Sequence, residues 1–293
     1  MITCIGMATI DYLRVVTSYP KEDSENPVIE SCDAVGGLAG RGAITIVRLG
    51  ADCKLVYTSG DDNISNDLES LLVSEGVVSC CYRKDNTLSQ NSFVLISGDN
   101  GKRTTIWLPQ PQTSDRLIKN LGDSINGSEC ILLDCTDELL TRAAISEANN
   151  QEIPIVLDTG SYKPWSDSIL PNVQHIISPK KYFSKKYAGL EVESALLAAF
   201  NEASCESFCL TNGEFGGLFI SKNKPDEVFI YPSFKINAID TCGAGDAFHG
   251  AFTFALARKW EINVCYEFSS WVAAQKCTAL GNHSIPRGTS GYP

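Results

Sequence analysis

Residues 240–252 read DTCGAGDAFHGAF, with two glycines and an alanine set between two aspartates just ahead of a helical pattern. Small residues at such a place let an anion approach bare backbone N–H groups at a helix N-terminus, where unpaired donors and the positive dipole end attract negative charge. A carboxylate beside an anion site is costly unless it has a task. Phosphoryl transfer supplies one, because something must accept the proton of the attacking hydroxyl. Asp246 is therefore a candidate general base, and the backbone of Gly243, Ala244 and Gly245 a candidate cradle for the transferring group. The plainer reading is that Asp246 only complements the dipole of its helix.

Other chemistries find no support. His175, His249 and His283 have no ligand spacing, and no Ser-His-Asp order is evident. No G-x-x-x-x-G-K-[ST] occurs, and the first strand does not lead into G-x-G-x-x-G, which disfavours a P-loop kinase and a nicotinamide enzyme. The 12 cysteines contain no C-x-x-C pair. With no signal-peptide pattern at the N-terminus, they read as free thiols of a cytoplasmic protein. A net charge of −11 and a pI near 4.8 argue against a nucleic-acid face. No apolar run reaches membrane-spanning length.

The elements that must position these residues alternate. TCIGMATIDYLRVV reads as a strand opening at Gly6, PVIESCDAVGG as a second strand, and GGLAGRGAITIVRLG as a helix ending at Gly50. CKLVYTSG, ECILLDC, IPIVLDTG, VQHIIS and SFCLTNGE read as further strands. NDLESLLVSEGV, LLTRAAISEANN and VESALLAAFNEAS read as helices between them. Strand and helix in repeated alternation form a mostly parallel sheet wrapped by helices. GLFIS and EVFIYPS suggest an antiparallel pair, FKINAID a strand end, and DAFHGAFTFALARKW and CYEFSSWVAAQKCTAL two closing helices.

One piece breaks the pattern. NSFVLISGDNGKRTTIWLP has two β-rich arms about Asp99-Asn100-Gly101, a hairpin signal. With the strand near Val28 to Val35 it predicts a small sheet standing off the main one as a lid. The chain reads as one domain, 1–293, with lid strands from about 11–35 and 90–109.

DTCGAGDAFHGA resembles the C-terminal signature of the ribokinase (PfkB) family of sugar kinases, D-T-x-G-A-G-D-x-F-x-G-A, at every defined position. GGLAGRGAITIVRLG resembles its N-terminal signature, with Gly36, Gly37, Ala43, Leu49 and Gly50 in place, but Arg41 stands where the family has a sugar-contacting Asn. A guanidinium there suits a carboxylate, phosphate or hydroxyl-rich ligand. A solvent-facing helix residue explains it as well.

The resemblance implies a ribokinase-like α/β/α sandwich with a β lid, and transfer of the γ-phosphoryl group of ATP, with Mg²⁺, to a hydroxyl of a small sugar. Asp11, in GMATID, is similar to the family's substrate-binding Asp, which places it with Gly36, Gly37 and Arg41 on the sugar. LTNGEFGG resembles the family's nucleotide turn, placing Thr211, Gly213 and Gly216 by ATP, with Asn282 as a further neighbour. By the same analogy the carbonyls of Asp240 and Cys242, with others near Gly281 and Ser284, would bind K⁺.

The family's Asn-x-x-Glu motif is absent from SPKKYFSKKYAG, which leaves the Mg²⁺ ligands unassigned. That stretch and KCTALG resemble the ketohexokinase-like branch. Trp107 and Thr136 stand where a sulfosugar kinase would carry polar groups, so a ketohexose or ribose-like sugar is the expected substrate. Nucleoside and sulfosugar kinases, and a non-catalytic sugar or nucleotide sensor, are the alternatives. The resemblance also implies a homodimer formed through the lid.

Overall fold

The computed structural model of the chain describes residues 1–99 and 102–293. In chain order the first half carries β1 (Ile2–Ile5), β2 (Thr9–Val16), β3 (Val28–Gly36), α1 (Leu38–Arg48), β4 (Cys53–Ser59), α2 (Asn63–Ser74), β5 (Val78–Arg83), β6 (Asn91–Ser97), β7 (Arg103–Trp107), α3 (Asp115–Lys119) and α4 (Leu121–Ile125). The second half carries β8 (Ile131–Asp134), α5 (Glu138–Asn150), β9 (Ile155–Asp158), β10 (His175–Pro179), α6 (Lys180–Lys186), α7 (Val192–Ala203), β11 (Ser207–Thr211), β12 (Gly217–Ser221), β13 (Lys224–Tyr231), α8 (Ala244–Ala257) and α9 (Ile262–Lys276).

The main sheet runs β13-β12-β11-β10-β9-β8-β1-β4-β5. From β5 to β11 neighbouring strands are parallel, and β12 and β13 add an antiparallel end. Parallel neighbours need crossovers, and the amphipathic helices supply them. Because side chains alternate along a strand, Leu132 faces α1, α8 and α9, while Ile131 and Leu133 face α4, α5 and α7. Two apolar layers result, one on each face, as near-continuous apolar strands such as ILLD require.

The expected ribokinase-like α/β/α sandwich and small lid are both present. The lid is a four-stranded sheet, β3-β2-β6-β7. The hairpin arms β6 and β7 pair antiparallel, while its turn residues 100–101 lie outside the described residues. The hairpin joins the sheet through β2, which lies parallel to β6 and antiparallel to β3, so β3 is not its direct neighbour. Leu13, Ala34, Val94, Ile96 and Leu280 form a separate apolar cluster under the lid.

Four elements escaped the sequence reading: β5, α3, α4 and α6. One expectation is corrected. FKINAID is no strand end, since residues 232–240 run irregularly from β13 to the cradle. All twelve cysteines are unpaired. Among the described residues, no helix is long and apolar enough to cross a membrane.

Candidate active site

The cradle forms where the irregular run meets α8. Gly243 is the N-cap, with φ of 76° and no side chain capping the helix, a conformation glycine adopts at no steric cost. The first helix-closing bond runs from the Ala247 amide to the Gly243 carbonyl at 3.0 Å. The Ala244 amide makes only a long 3.4 Å bond to the Thr241 carbonyl. The amides of Gly245 and Asp246 thus belong to the open first turn, where N–H groups have no helical partner. A side chain built on Gly245 would meet nothing within 4 Å, so the cradle has an open face. Asp246 sits in this first turn with its side chain 24% exposed.

Asp11, on β2, is buried and faces the same point. The Ser92 hydroxyl donates to its Oδ1 at 2.6 Å. Gly36 and Gly37, expected beside the sugar, have packing reasons of their own. A Cβ on Gly36 would strike the Asp11 carboxylate, and one on Gly37 would strike the Met7 carbonyl. Their bareness lets β3 and α1 close around Asp11.

Arg41 is no solvent-facing helix residue. It is 2% exposed, and three of its donors reach three parts of the chain. Nη1 donates to Asp246 Oδ2 at 2.6 Å, Nη2 to Asp11 Oδ2 at 2.8 Å, and Nε to Asn282 Oδ1 at 2.9 Å. Burial alone would depress the guanidinium pKa, but the carboxylates of Asp246 and Asp11 outweigh it and hold the value above the ordinary one. A Cβ on Gly243 would lie 1.8 Å from Arg41 Nη1, so the guanidinium rests directly on the cradle's backbone. Asn282 in turn donates to the Val35 carbonyl at 2.8 Å, tying this cluster to the lid strand β3. Arg103 of β7 also reaches the cradle, donating to the Thr241 hydroxyl at 2.8 Å.

Gly36 and Arg41 of one signature stretch and Gly243 and Asp246 of the other thus meet around one cluster, and the sequence comparisons agree. The chain matches the pfkB family carbohydrate kinases over residues 1–286. It belongs to that family. Ribokinase of Haemophilus influenzae is 25% identical, over 97% of this chain and 95% of its own. The structures of ribokinase from Thermotoga maritima (TM-score 0.80, 24% identity, 98% and 96% covered) and of Arabidopsis thaliana ribokinase with ribose and ATP (0.79, 16%, 97% and 95%) share its fold. The chain is accordingly an ATP-dependent carbohydrate kinase.

At the turn expected to meet the nucleotide, Thr211 ends β11, and both glycines after it have positive φ. Their surroundings differ. Gly213 faces open space, whereas a Cβ on Gly216 would lie 2.3 Å from the Tyr231 carbonyl. Gly216 therefore answers to the packing of β12 on β13, and Gly213 is left as the glycine with room for a ligand. Asn282, expected beside the nucleotide, accepts from Arg41 Nε.

The residues expected to hold cations are placed differently again. Among the described residues no group of three or more His, Cys, Asp or Glu side chains could hold a metal ion. Where the family carries Asn-x-x-Glu, the kinase has the buried Ser178 and the exposed Lys180 and Lys181, which do not fit a dedicated magnesium cage. Cys242 is half-buried, with burial pushing its thiol above the ordinary value. The carbonyl of Asp240 accepts from Lys276 Nζ at 2.9 Å.

Lys276, Ser92 and Arg103 were not singled out from sequence, since each becomes meaningful only through a contact across the fold. His249, which has no ligand spacing in the sequence, is buried. Its Nδ1 donates to the Gly245 carbonyl at 2.6 Å, while Nε2 lies 3.7 Å from Asp158 Oδ1 without a hydrogen bond.

Proposed function

We propose that the chain phosphorylates a hydroxyl of a small ketohexose or ribose-like sugar, with Asp246 as general base. One observation carries this reading: Asp246, in the uncapped first turn of α8, and Asp11, on the lid strand β2, converge on a single guanidinium. In this reading Asp246 is the proton acceptor and Asp11 the polyol-binding carboxylate, on either side of the space an acceptor needs.

In the reaction the acceptor hydroxyl takes the place of Arg41 Nη1 on Asp246. Its proton passes to the carboxylate as its oxygen bonds to the γ-phosphorus, and the bond from that phosphorus to the β-phosphate oxygen breaks to release ADP. The amides of Gly245 and Asp246 face the charge on the transferring group. ATP enters as its magnesium complex, and no protein step is assigned to the metal. Arg41 keeps Asp11 and Asn282, which makes it part of the sugar pocket and the determinant of which acceptors are admitted.

The outer face of the lid exposes Ile29, Phe93 and Ile106, the last two paired across β6 and β7, an apolar set that favours a second copy of the chain as its cover.

Arg41 also favours a second reading, a sugar or nucleotide sensor, because the guanidinium occupies both carboxylates at once. ADP release across a panel of neutral sugars, nucleosides and sulfosugars, run beside thermal shift on the same panel, separates the two. Turnover with one class of acceptor supports the kinase. Stabilisation without ADP release throughout would leave only the sensor.

A further inference from the structure

Lys276 is the last residue of α9 and is wholly buried, 0% exposed. Lysine is almost never so deeply placed unless its charge is matched. Here the match is a single residue. Nζ donates at 2.9 Å to the main-chain carbonyl of Asp240 and at 2.9 Å to its Oδ2.

Asp240 is in turn the knot of the loop that leads into the cradle. Its Oδ1 accepts from the Cys242 amide at 2.8 Å, and its Oδ2 from the Gly281 amide at 3.0 Å. Gly281 precedes Asn282, the anchor of Arg41. The buried ammonium therefore fixes both strands of chain that border the proposed site: 240–242, which opens the cradle, and 281–282, which holds the guanidinium.

We infer that Lys276 is a built-in monovalent cation for the cradle, a positioning residue that takes the place of the potassium ion that sequence analogy assigned to the Asp240 carbonyl. An ammonium and a potassium ion carry the same charge and both take oxygen ligands, but the ammonium is delivered covalently and never exchanges with solvent. A second cation on that carbonyl would sit a few ångströms from Nζ in a buried place, with the Asp240 carboxylate already matched. The neighbouring acceptors are committed as well. The Lys276 carbonyl accepts from the Ser284 hydroxyl at 2.7 Å, and the Cys277 carbonyl from the amides of Ile239 and Asp240 at 2.8 and 3.2 Å. The kinase should then need no potassium. The link to turnover rests on the proposed role of the cradle, while the cation site itself does not.

The test compares chloride salts of potassium, sodium, caesium and choline at equal ionic strength. Wild-type protein is expected to show the same melting temperature in all four, and the same ADP release wherever an acceptor is turned over. A potassium-specific rise of several degrees in wild-type melting temperature, by the linkage that stabilises any ligand-binding fold, overturns the inference.

The second arm uses Lys276→Ala, in which potassium or n-propylammonium should restore melting temperature while sodium and choline do not. A merely structural ion pair gives no such selectivity, so a variant equally unstable in every salt also overturns it. If Lys276→Ala does not fold, Lys276→Gln, which keeps hydrogen bonding without charge, takes its place. The melting measurements are readable even if no acceptor is phosphorylated, so failure of the kinase reading and failure of this inference are distinct results.

Discussion

Arg41 Nη1 donates to Asp246 Oδ2 at 2.6 Å, a charge-assisted bond between α1 and α8 across 205 positions of sequence. The carboxylate proposed to take the acceptor's proton is thus engaged before any acceptor arrives. An acceptor has to offer Asp246 something as good as the guanidinium, and binding becomes a competition with a group that is always present.

Replacing Asp246 by Asn keeps the size of the side chain and removes its basicity. Turnover is expected to fall by about 10² to 10⁴, with ATP affinity retained. Steady-state ADP release and nucleotide titration on the same preparation check this, and near-wild-type turnover would remove Asp246 from its role.

Arg41→Asn should act on stability and on binding in opposite senses. It leaves the buried Asp11 and the partly exposed Asp246 without their cation. Breaking a buried pair costs about 3–5 kcal/mol, and the lower end applies because Asp246 is in part solvated. The emptied space should raise affinity for neutral sugars. Urea unfolding and titration with ribose or fructose measure the two effects, and an unchanged urea midpoint would show that the ion pairs contribute nothing net.

The two cradle glycines should respond differently to alanine. At Gly243 the new methyl would meet Arg41 at positive φ, so Gly243→Ala should lower stability and activity together. At Gly245 it meets nothing within 4 Å, and alanine is favoured over glycine in a helix by up to about 1 kcal/mol. Gly245→Ala should melt no lower than wild type yet turn over more slowly, because its methyl projects into the open face. Full activity in that variant would show that nothing binds there.

Two groups, the buried Asp134 and the part-buried His175, should give the fold an unusual response to acid. Burial pushes His175 down to about 4 from 6.5, so the unfolded chain takes up that proton first and stability falls as pH drops from about 6.5 to 4. Burial pushes Asp134 up to about 6 from 3.8, so the folded chain takes up that proton first and stability rises as pH drops from about 6 to 4. Each effect is about 3 kcal/mol, and they nearly cancel. In His175→Asn the loss disappears. Its stability relative to wild type should then shift in its favour by about 3 kcal/mol between pH 7 and pH 4, as read from urea midpoints.

What sequence made visible follows from the range of each interaction. Strands such as ILLD and the two closing helices carry their burial in their own letters, and the glycine-rich run before Asp246 marks an open helix start, the proposed anion site, by local pattern alone. β5, with the exposed Val78 and Arg83 at its two ends and only partly buried residues between, has no such signature on the edge of its sheet. The roles of Arg41, Asn282 and Lys276 were hidden for another reason. Each is set by a partner more than 30 positions away, and a lysine near a helix end or an arginine in a first turn reads as surface until the far side chain is placed.

The guanidinium cluster draws on both ends of the chain, with Asp11 near the start and Asn282 near the finish. During synthesis β2 leaves the ribosome well before residue 282, so the cluster around its buried acid is completed only after more than 270 further residues have emerged. A chain interrupted short of residue 282 would keep most of its sheet while Arg41 lacked its anchor. Assembly of this cluster therefore waits on the segment that carries Asn282.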